Sequence, residues 1–190
     1  MWIFGYGSLV WKVDFPYKSK LTGFIKGYTR KFYQGSTDHR GTPCKPGRVV
    51  TLLPSTDPED RVWGIAYELH EANKDDIMKH LDFREKNGYE KVMVTFHPAN
   101  LNERPFELSI YVATADNDHY AGMADIDSIA RIIVDSSGMS GTNREYLYQL
   151  ASAMRLLAPH HEDDHLYELE AAVKRLEITD EQQTNCDMES

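Results

Sequence analysis

The sequence predicts an α+β fold: a small antiparallel β-barrel of about six strands with flanking helices. Three observations predict it. Short apolar or alternating runs bounded by Gly, Pro, Asp or Asn fill the chain up to Thr114. Few helix-length stretches separate these runs. After Thr114 the apolar spacing changes to the helical period.

The opening MWIFGYG is aromatic or β-branched and ends in glycine, as a buried strand does. The runs LTGFIKGYTRKFYQG, RVVTLLP, VWGIAYEL, YEKVMVTFHP and FELSIYVAT repeat that signature. One helix interrupts them at EANKDDIMKHLDFRE, where Ile77, Met78, Leu81 and Phe83 recur near the helical period and Asn87-Gly88 provides a stop. Repeated βαβ units and a doubly wound parallel sheet are poorly supported. Beyond the strands, DIDSIARIIVDSSG, TNREYLYQLASAMRLLAP and HEDDHLYELEAAVKRLE each predict a helix, with Asp, Thr or Asn near the start. The polar, acidic EITDEQQTNCDMES predicts a disordered tail over 177–190, which leaves one domain over 1–176. No internal repeat or low-complexity block appears.

A chain of 190 residues, 41% hydrophobic and 27% charged, is long enough for one domain with a substantial core. Asp and Glu outnumber Lys and Arg by 30 to 21, for a formal charge of −9, which disfavours nucleic acid as a partner. Cys44 and Cys186 form neither a disulfide framework nor a spaced zinc motif, so a reducing compartment fits best. The start lacks a basic region followed by a long apolar stretch, and no run reaches the ~18 apolar residues of a membrane span. These features predict a cytosolic protein with no membrane association and no indicated obligate protein partner.

Within GYGSLV, a dinucleotide fingerprint would need its third glycine where Val10 stands, and a Walker A loop would need Gly-Lys-Ser/Thr. Both readings fail. What remains is a Gly-Tyr-Gly-Ser bend at a strand's end, whose successive N–H groups suit an anionic carboxylate; a plain β-bulge or tight turn is the alternative. The stretch QGSTDHRGTPCKPGRVV gathers Ser36, Asp38, His39, Arg40 and Arg48 in one polar loop. A nucleophilic triad packed so closely in sequence seldom has the required geometry, and local loop hydrogen bonds are the simpler reading. His160, His161 and His165 in PHHEDDH lack the HExxH spacing and read as a solvated helix start, so no metal is assigned. Glu85 in LDFREKNGYE stands between Arg84 and Lys86. It is a surface charge unless its carboxylate turns inward against aromatic surface, where desolvation would raise its pKa and suit it to general acid–base work.

Together, FGYGSLVW, YQGSTDHRGTPCKPGRVVTL, VWGIAYEL, LDFREKNGY and SGTNREYLYQLA occur in the order and rough spacing of one family. The chain resembles the ChaC-type glutathione-specific γ-glutamylcyclotransferases up to about residue 175, and is similar to the short animal-type members because it begins at its first strand. The resemblance implies a barrel-like sheet decorated by helices, no cofactor, and cleavage of glutathione to 5-oxoproline and cysteinylglycine. It implies Glu85 as catalytic residue and Ile3, Phe4, Gly5, Tyr6, Gly7 and Ser8 as the substrate-binding segment. We extend that segment to Leu9 and add Tyr146 as a hydroxyl donor.

In such a reaction the substrate's own α-amine attacks its side-chain carbonyl, so no enzyme nucleophile is needed and orientation becomes the main task. An α-ammonium titrating near ~8 must lose its proton first. One carboxylate can take that proton and return it to the departing nitrogen. The bend's amides would hold either the α-carboxylate or the developing oxyanion, with Arg40 and Arg48 as candidate local cations. The rival expectations are the same chemistry on other γ-glutamyl amino acids or amines, and a non-catalytic binding protein on the same scaffold.

Overall fold

Strands β1 (Trp2–Gly5), β5 (Arg61–Glu68), β2 (Ser19–Lys26), β6 (Tyr89–Pro98) and β7 (Phe106–Ala113) follow one another in that order around a closed barrel. The computed structural model describes residues 1–77, 79, 89–113, 117 and 119–188. The barrel expected from the sequence is present, with five strands in place of about six. Its pairings are antiparallel except for one seam, where β1 runs parallel to β7 and Ile3 faces Ser109. Pairing between segments so far apart in the chain leaves no mark on local periodicity.

The run from Leu21 to Gly35 reads as one strand but forms two. Gly27 adopts φ 77, a left-handed conformation that costs a residue with a side chain, and the chain leaves the barrel there. The switch is pinned on both sides: the Gly27 amide donates to the Asp60 carbonyl at 2.9 Å, and the Ser55 amide donates to the Gly27 carbonyl at 2.9 Å. Beyond it, β3 (Tyr28–Ser36) and β4 (Gly47–Pro54) form a two-stranded ribbon with an irregularity between Lys31 and Gln34.

Strand alternation divides the apolar residues between two cores. Phe4, Ile25, Val62, Ala66, Phe96, Leu108, Ile110 and Val112 come from all five barrel strands and share one cluster, so they fill the interior, joined by Leu52 from the ribbon. Ile3, Ile65 and Tyr67 project from the opposite face into a second cluster with Phe32 and Val50 of the ribbon and the apolar sides of the helices.

All three helices expected after Thr114 form. In α1 (Ile126–Asp135), Asp125 caps the start by accepting from the Ser128 amide, and Ile129, Ala130 and Ile133 are buried. In α2 (Asn143–Leu157), Thr142 accepts from the Glu145 amide, and Tyr146, Leu147, Leu150, Ala151 and Met154 form the inward stripe. A two-stranded hairpin, β8 (Ser137–Gly138) and β9 (Gly141–Thr142), joins these helices. The last helix, α3 (Asp164–Met188), buries Leu166, Leu169, Ala172 and Val173. It continues through most of the segment for which composition predicts a disordered tail, and Glu177 is tied there to Arg144 at 3.0 Å and to the Tyr148 hydroxyl at 2.5 Å. Of the helix expected around EANKDDIMKHLDFRE, a 3-10 turn at Glu71–Asn73 and helical residues 74–77 are described. Met78, Leu81, Phe83, Asn87 and Gly88 lie outside the described residues.

Candidate active site

The Gly-Tyr-Gly-Ser bend leaves β1 where Gly5 pairs with Ile65, and winds at once into a 3-10 turn over Ser8–Val10. Amides of Val10, Trp11 and Lys12 donate back to Gly7 and Ser8 carbonyls at 2.8–3.2 Å, which closes the turn. Among the described residues, neither the Gly7 nor the Ser8 amide has a backbone acceptor. Two amides in succession without a described backbone acceptor make a concavity suited to an anion.

Glycine is needed here for close approach. A Cβ on Gly5 would lie 2.6 Å from Leu9 Cβ and 3.4 Å from Tyr67 Cε2. One on Gly7 would lie 3.0 Å from the Tyr146 hydroxyl and 3.0 Å from Val50 Cγ2. The structure therefore brings Gly5, Tyr6, Gly7, Ser8 and Leu9 together with Tyr146, as the sequence grouped them. Tyr146 is buried, its ring edge-on to Trp11 and Phe32 with centroids 5.2 and 6.0 Å apart. The Tyr6 hydroxyl donates to the Tyr111 carbonyl at 2.8 Å and anchors the bend to β7.

Tyr67 is the neighbour that sequence reasoning missed. Its side chain is buried beside Gly5, and its hydroxyl donates to the Leu9 carbonyl at 2.6 Å. The available signal was its place in VWGIAYEL on the same strand face as Ile65, because a buried phenol must find an acceptor.

Ile3 and Phe4 are core residues. Their side chains point into the helix-facing and barrel cores respectively, so any contact they make with a ligand runs through backbone. Glu85 lies outside the described residues.

The two arginines of the loop are braced to protein groups. Arg40 Nη1 pairs with Glu145 Oε2 and the Thr142 carbonyl, both at 3.0 Å, and its guanidinium lies 5.7 Å from the Tyr146 ring centroid. Arg48 Nη1 donates to the Gly122 carbonyl at 2.8 Å, and burial pushes the arginine's pKa down. The Arg48 backbone is held by Asn143 at the start of α2. Ser36 Oγ accepts from the Arg40 amide at 3.0 Å, a local loop bond. His39 Nδ1 lies 2.8 Å from Ser140 Oγ, in an exposed pair away from Ser36. Ser36, Asp38 and His39 thus make loop hydrogen bonds, the reading the sequence favoured over a nucleophilic triad.

His165 is buried, unlike the solvated position expected for it, and its Nε2 accepts from the Phe32 amide at 3.0 Å. Burial, with Lys31 adding to it, pushes its pKa down to about 4. His161 lies against the Trp63 ring, 6.3 Å between centroids. Among the described residues no group of three or more His, Cys, Asp or Glu is arranged to hold a metal ion, and no helix is long and apolar enough to cross a membrane.

A closed barrel with this bend at the end of its first strand defines a γ-glutamylcyclotransferase-type scaffold. The crystal structure of a yeast γ-glutamyl cyclotransferase specific to glutathione matches it with a TM-score of 0.84 at 30% identity, covering 92% of this chain and 96% of that one. A solved γ-glutamyl cyclotransferase with 14% identity shares the fold at a TM-score of 0.55. Within that class, the chain belongs to the ChaC-like protein family, whose model matches residues 1–176. It is 45% identical to glutathione-specific γ-glutamylcyclotransferase 1 of Mus musculus over 93% of this chain and 79% of the relative. It is 37% identical to the glutathione-specific γ-glutamylcyclotransferase of Schizosaccharomyces pombe, over 92% and 93%. The family expected from FGYGSLVW and LDFREKNGY is thereby borne out.

Proposed function

We propose that the chain is a glutathione-specific γ-glutamylcyclotransferase, which converts glutathione to 5-oxoproline and cysteinylglycine. The observation that carries this reading is the 45% identity, over 93% of the chain, to a relative of that name. The bend supports it, since two successive amides with no backbone acceptor among the described residues suit either the α-carboxylate or the oxyanion of a γ-glutamyl group.

In this reading Glu85 takes a proton from the substrate's α-ammonium. The freed amine attacks the γ-carbonyl, a C–N bond closes the five-membered lactam, and the amide bond to cysteine breaks. The same carboxyl returns its proton to the departing nitrogen, and the second proton, shed as the attacking nitrogen becomes the lactam N–H, leaves cysteinylglycine as an ammonium, so no water, cofactor or enzyme nucleophile is consumed. Chain connectivity supports the assignment. Glu85 precedes Tyr89 by four residues, at most about 14 Å of extended chain. Tyr89 pairs with Ala113 at the end of β7 where Tyr6 is anchored to Tyr111. With Arg40 on Glu145 and Arg48 on backbone carbonyls, recognition of the anionic substrate falls to the amides and hydroxyls of the bend. The reduced cytosol, where glutathione is abundant as the thiol, is the compartment that fits this chemistry and the cysteine usage.

The test is incubation of the purified chain with reduced glutathione and with a panel of other γ-glutamyl peptides and amines. Equimolar 5-oxoproline and cysteinylglycine from glutathione alone is the expected result. Release of free glutamate, or no reaction, overturns the proposal. Glu85→Gln is expected to lower kcat by about 10²–10⁴ while glutathione binding persists, and near-normal turnover by that variant removes Glu85 from the mechanism.

A further inference from the structure

We infer that Tyr67 is a positioning residue for the candidate site, setting the width of the Gly5–Leu9 bend through its hydroxyl. The inference rests on the proposed function, because it concerns how that site is held open. One side chain touches both ends of the bend. The Tyr67 ring forms the wall beside Gly5, where a Cβ would lie 3.4 Å from Cε2, and its hydroxyl donates to the Leu9 carbonyl at 2.6 Å. Between those contacts lie the Gly7 and Ser8 amides that have no backbone acceptor.

The tether is rigid at its base. Tyr67 faces Ile3 in the β1–β5 ladder and Lys20 in the β2–β5 ladder, so its backbone is flanked by a strand on each side. Its ring is packed edge-on by Phe15 and Tyr17, with centroids 5.7 and 5.1 Å away. Desolvation, with Tyr17 adding to it, pushes the phenol's pKa up to about 12, so the hydroxyl stays a donor across the working pH range. The Leu9 carbonyl belongs to the 3-10 turn that carries Ser8, and without its partner the turn can rotate and spread the two amides. Tyr146 bounds the bend from the opposite element, on α2. The bend is therefore spanned between a strand tyrosine and a helix tyrosine, and the Tyr67 hydroxyl holds a bend carbonyl.

The experiment compares wild type, Tyr67→Phe and Tyr17→Phe. Tyr67→Phe keeps the ring and removes the tether. We expect KM for glutathione to rise about 10-fold with kcat within about 3-fold, the pattern of a lost binding geometry. Amide hydrogen exchange at Val10, Trp11 and Lys12 should accelerate while Ile65 and Ala66, in the barrel wall, keep their protection. Tyr17→Phe perturbs the same aromatic cluster without touching the bend, and should leave KM and the turn's exchange unchanged. A Tyr67→Phe enzyme with unchanged KM and unchanged exchange at the turn overturns the inference, as does a uniform loss of protection that includes the barrel wall. If wild type releases no 5-oxoproline from glutathione, the proposed function fails, while the exchange comparison still decides whether Tyr67 holds the bend.

Discussion

The Asn143 side-chain amide pairs with the Arg48 backbone as a neighbouring strand would: Oδ1 accepts from the Arg48 amide at 2.6 Å and Nδ2 donates to its carbonyl at 2.8 Å. Asn143 is fully buried, and this pairing fixes the start of α2 against β4, one helical turn before Tyr146. Asn143→Ala would strand a buried donor and a buried acceptor, at a cost of about 2–4 kcal/mol. For a domain of this size that corresponds to a melting midpoint about 5–15 °C lower. Asn143→Asp keeps one acceptor but sets an oxygen against the Arg48 carbonyl, and should be no better than alanine. Calorimetry of the two variants checks this; a midpoint within 2 °C of wild type (about 1 kcal/mol or less) contradicts it.

Gly7 sits where any side chain would meet two neighbours, so its substitution tests the space around the bend. An alanine Cβ would press on the Tyr146 hydroxyl and Val50 Cγ2, each at 3.0 Å. Gly7→Ala is expected to lower kcat/KM for glutathione at least about 10-fold while costing about 1–3 kcal/mol of stability. Gly7→Val, with branched atoms at the same point, should be inactive. The check is 5-oxoproline release alongside urea unfolding, and wild-type kcat/KM in the alanine variant would show that the bend does not approach the substrate.

His165 makes stability pH-dependent in a defined window. Its ordinary pKa of 6.5 falls to about 4 in the fold, because burial disfavours the cation and Lys31 adds to that. Between those values the unfolded chain binds more protons than the folded one, so stability falls as pH drops from 6.5 towards 4. The loss is of the order of 3 kcal/mol. His165→Gln retains an acceptor for Phe32 and does not titrate, so it should flatten the dependence across this window. Urea midpoints measured from pH 7 to 4.5 decide it: equal slopes for wild type and variant would assign the acid sensitivity elsewhere.

Much of the architecture is written in local pattern. The alternation in VWGIAYEL separates Val62 and Ala66, inside the barrel, from Ile65 and Tyr67, under the helices. The stripe from Tyr146 to Met154 sets the inward face of α2. The bend could be read from the sequence because glycines one residue apart at a strand's end mark close backbone approach, whereas no spacing ties Tyr146 to it. What escaped was non-local or hidden in the side-chain network. Gly27 could as well have been a bulge within one long strand; the carbonyl of Asp60, remote in sequence, helps make it a corner. Arg40 and Arg48 look like free cations in a polar loop until Glu145 and the Gly122 carbonyl arrive from elsewhere in the chain. His165 carries no local sign that its ring will replace water as the acceptor for Phe32. The helix beyond Leu176 has a polar composition, and the described partners of Glu177 come from α2.

The parallel seam between Ile3 and Ser109 also dictates an order of events during synthesis. The first strand is the earliest made, yet both of its ladder neighbours, β5 and β7, emerge from the ribosome only after most of the intervening chain. Such distant pairing carries a large loop-closure entropy and slows folding. Gly5 pairs with Ile65 of β5 and the Tyr6 hydroxyl is tied to Tyr111 of β7, so the bend gains its last strand contact only once the seventh strand has been made.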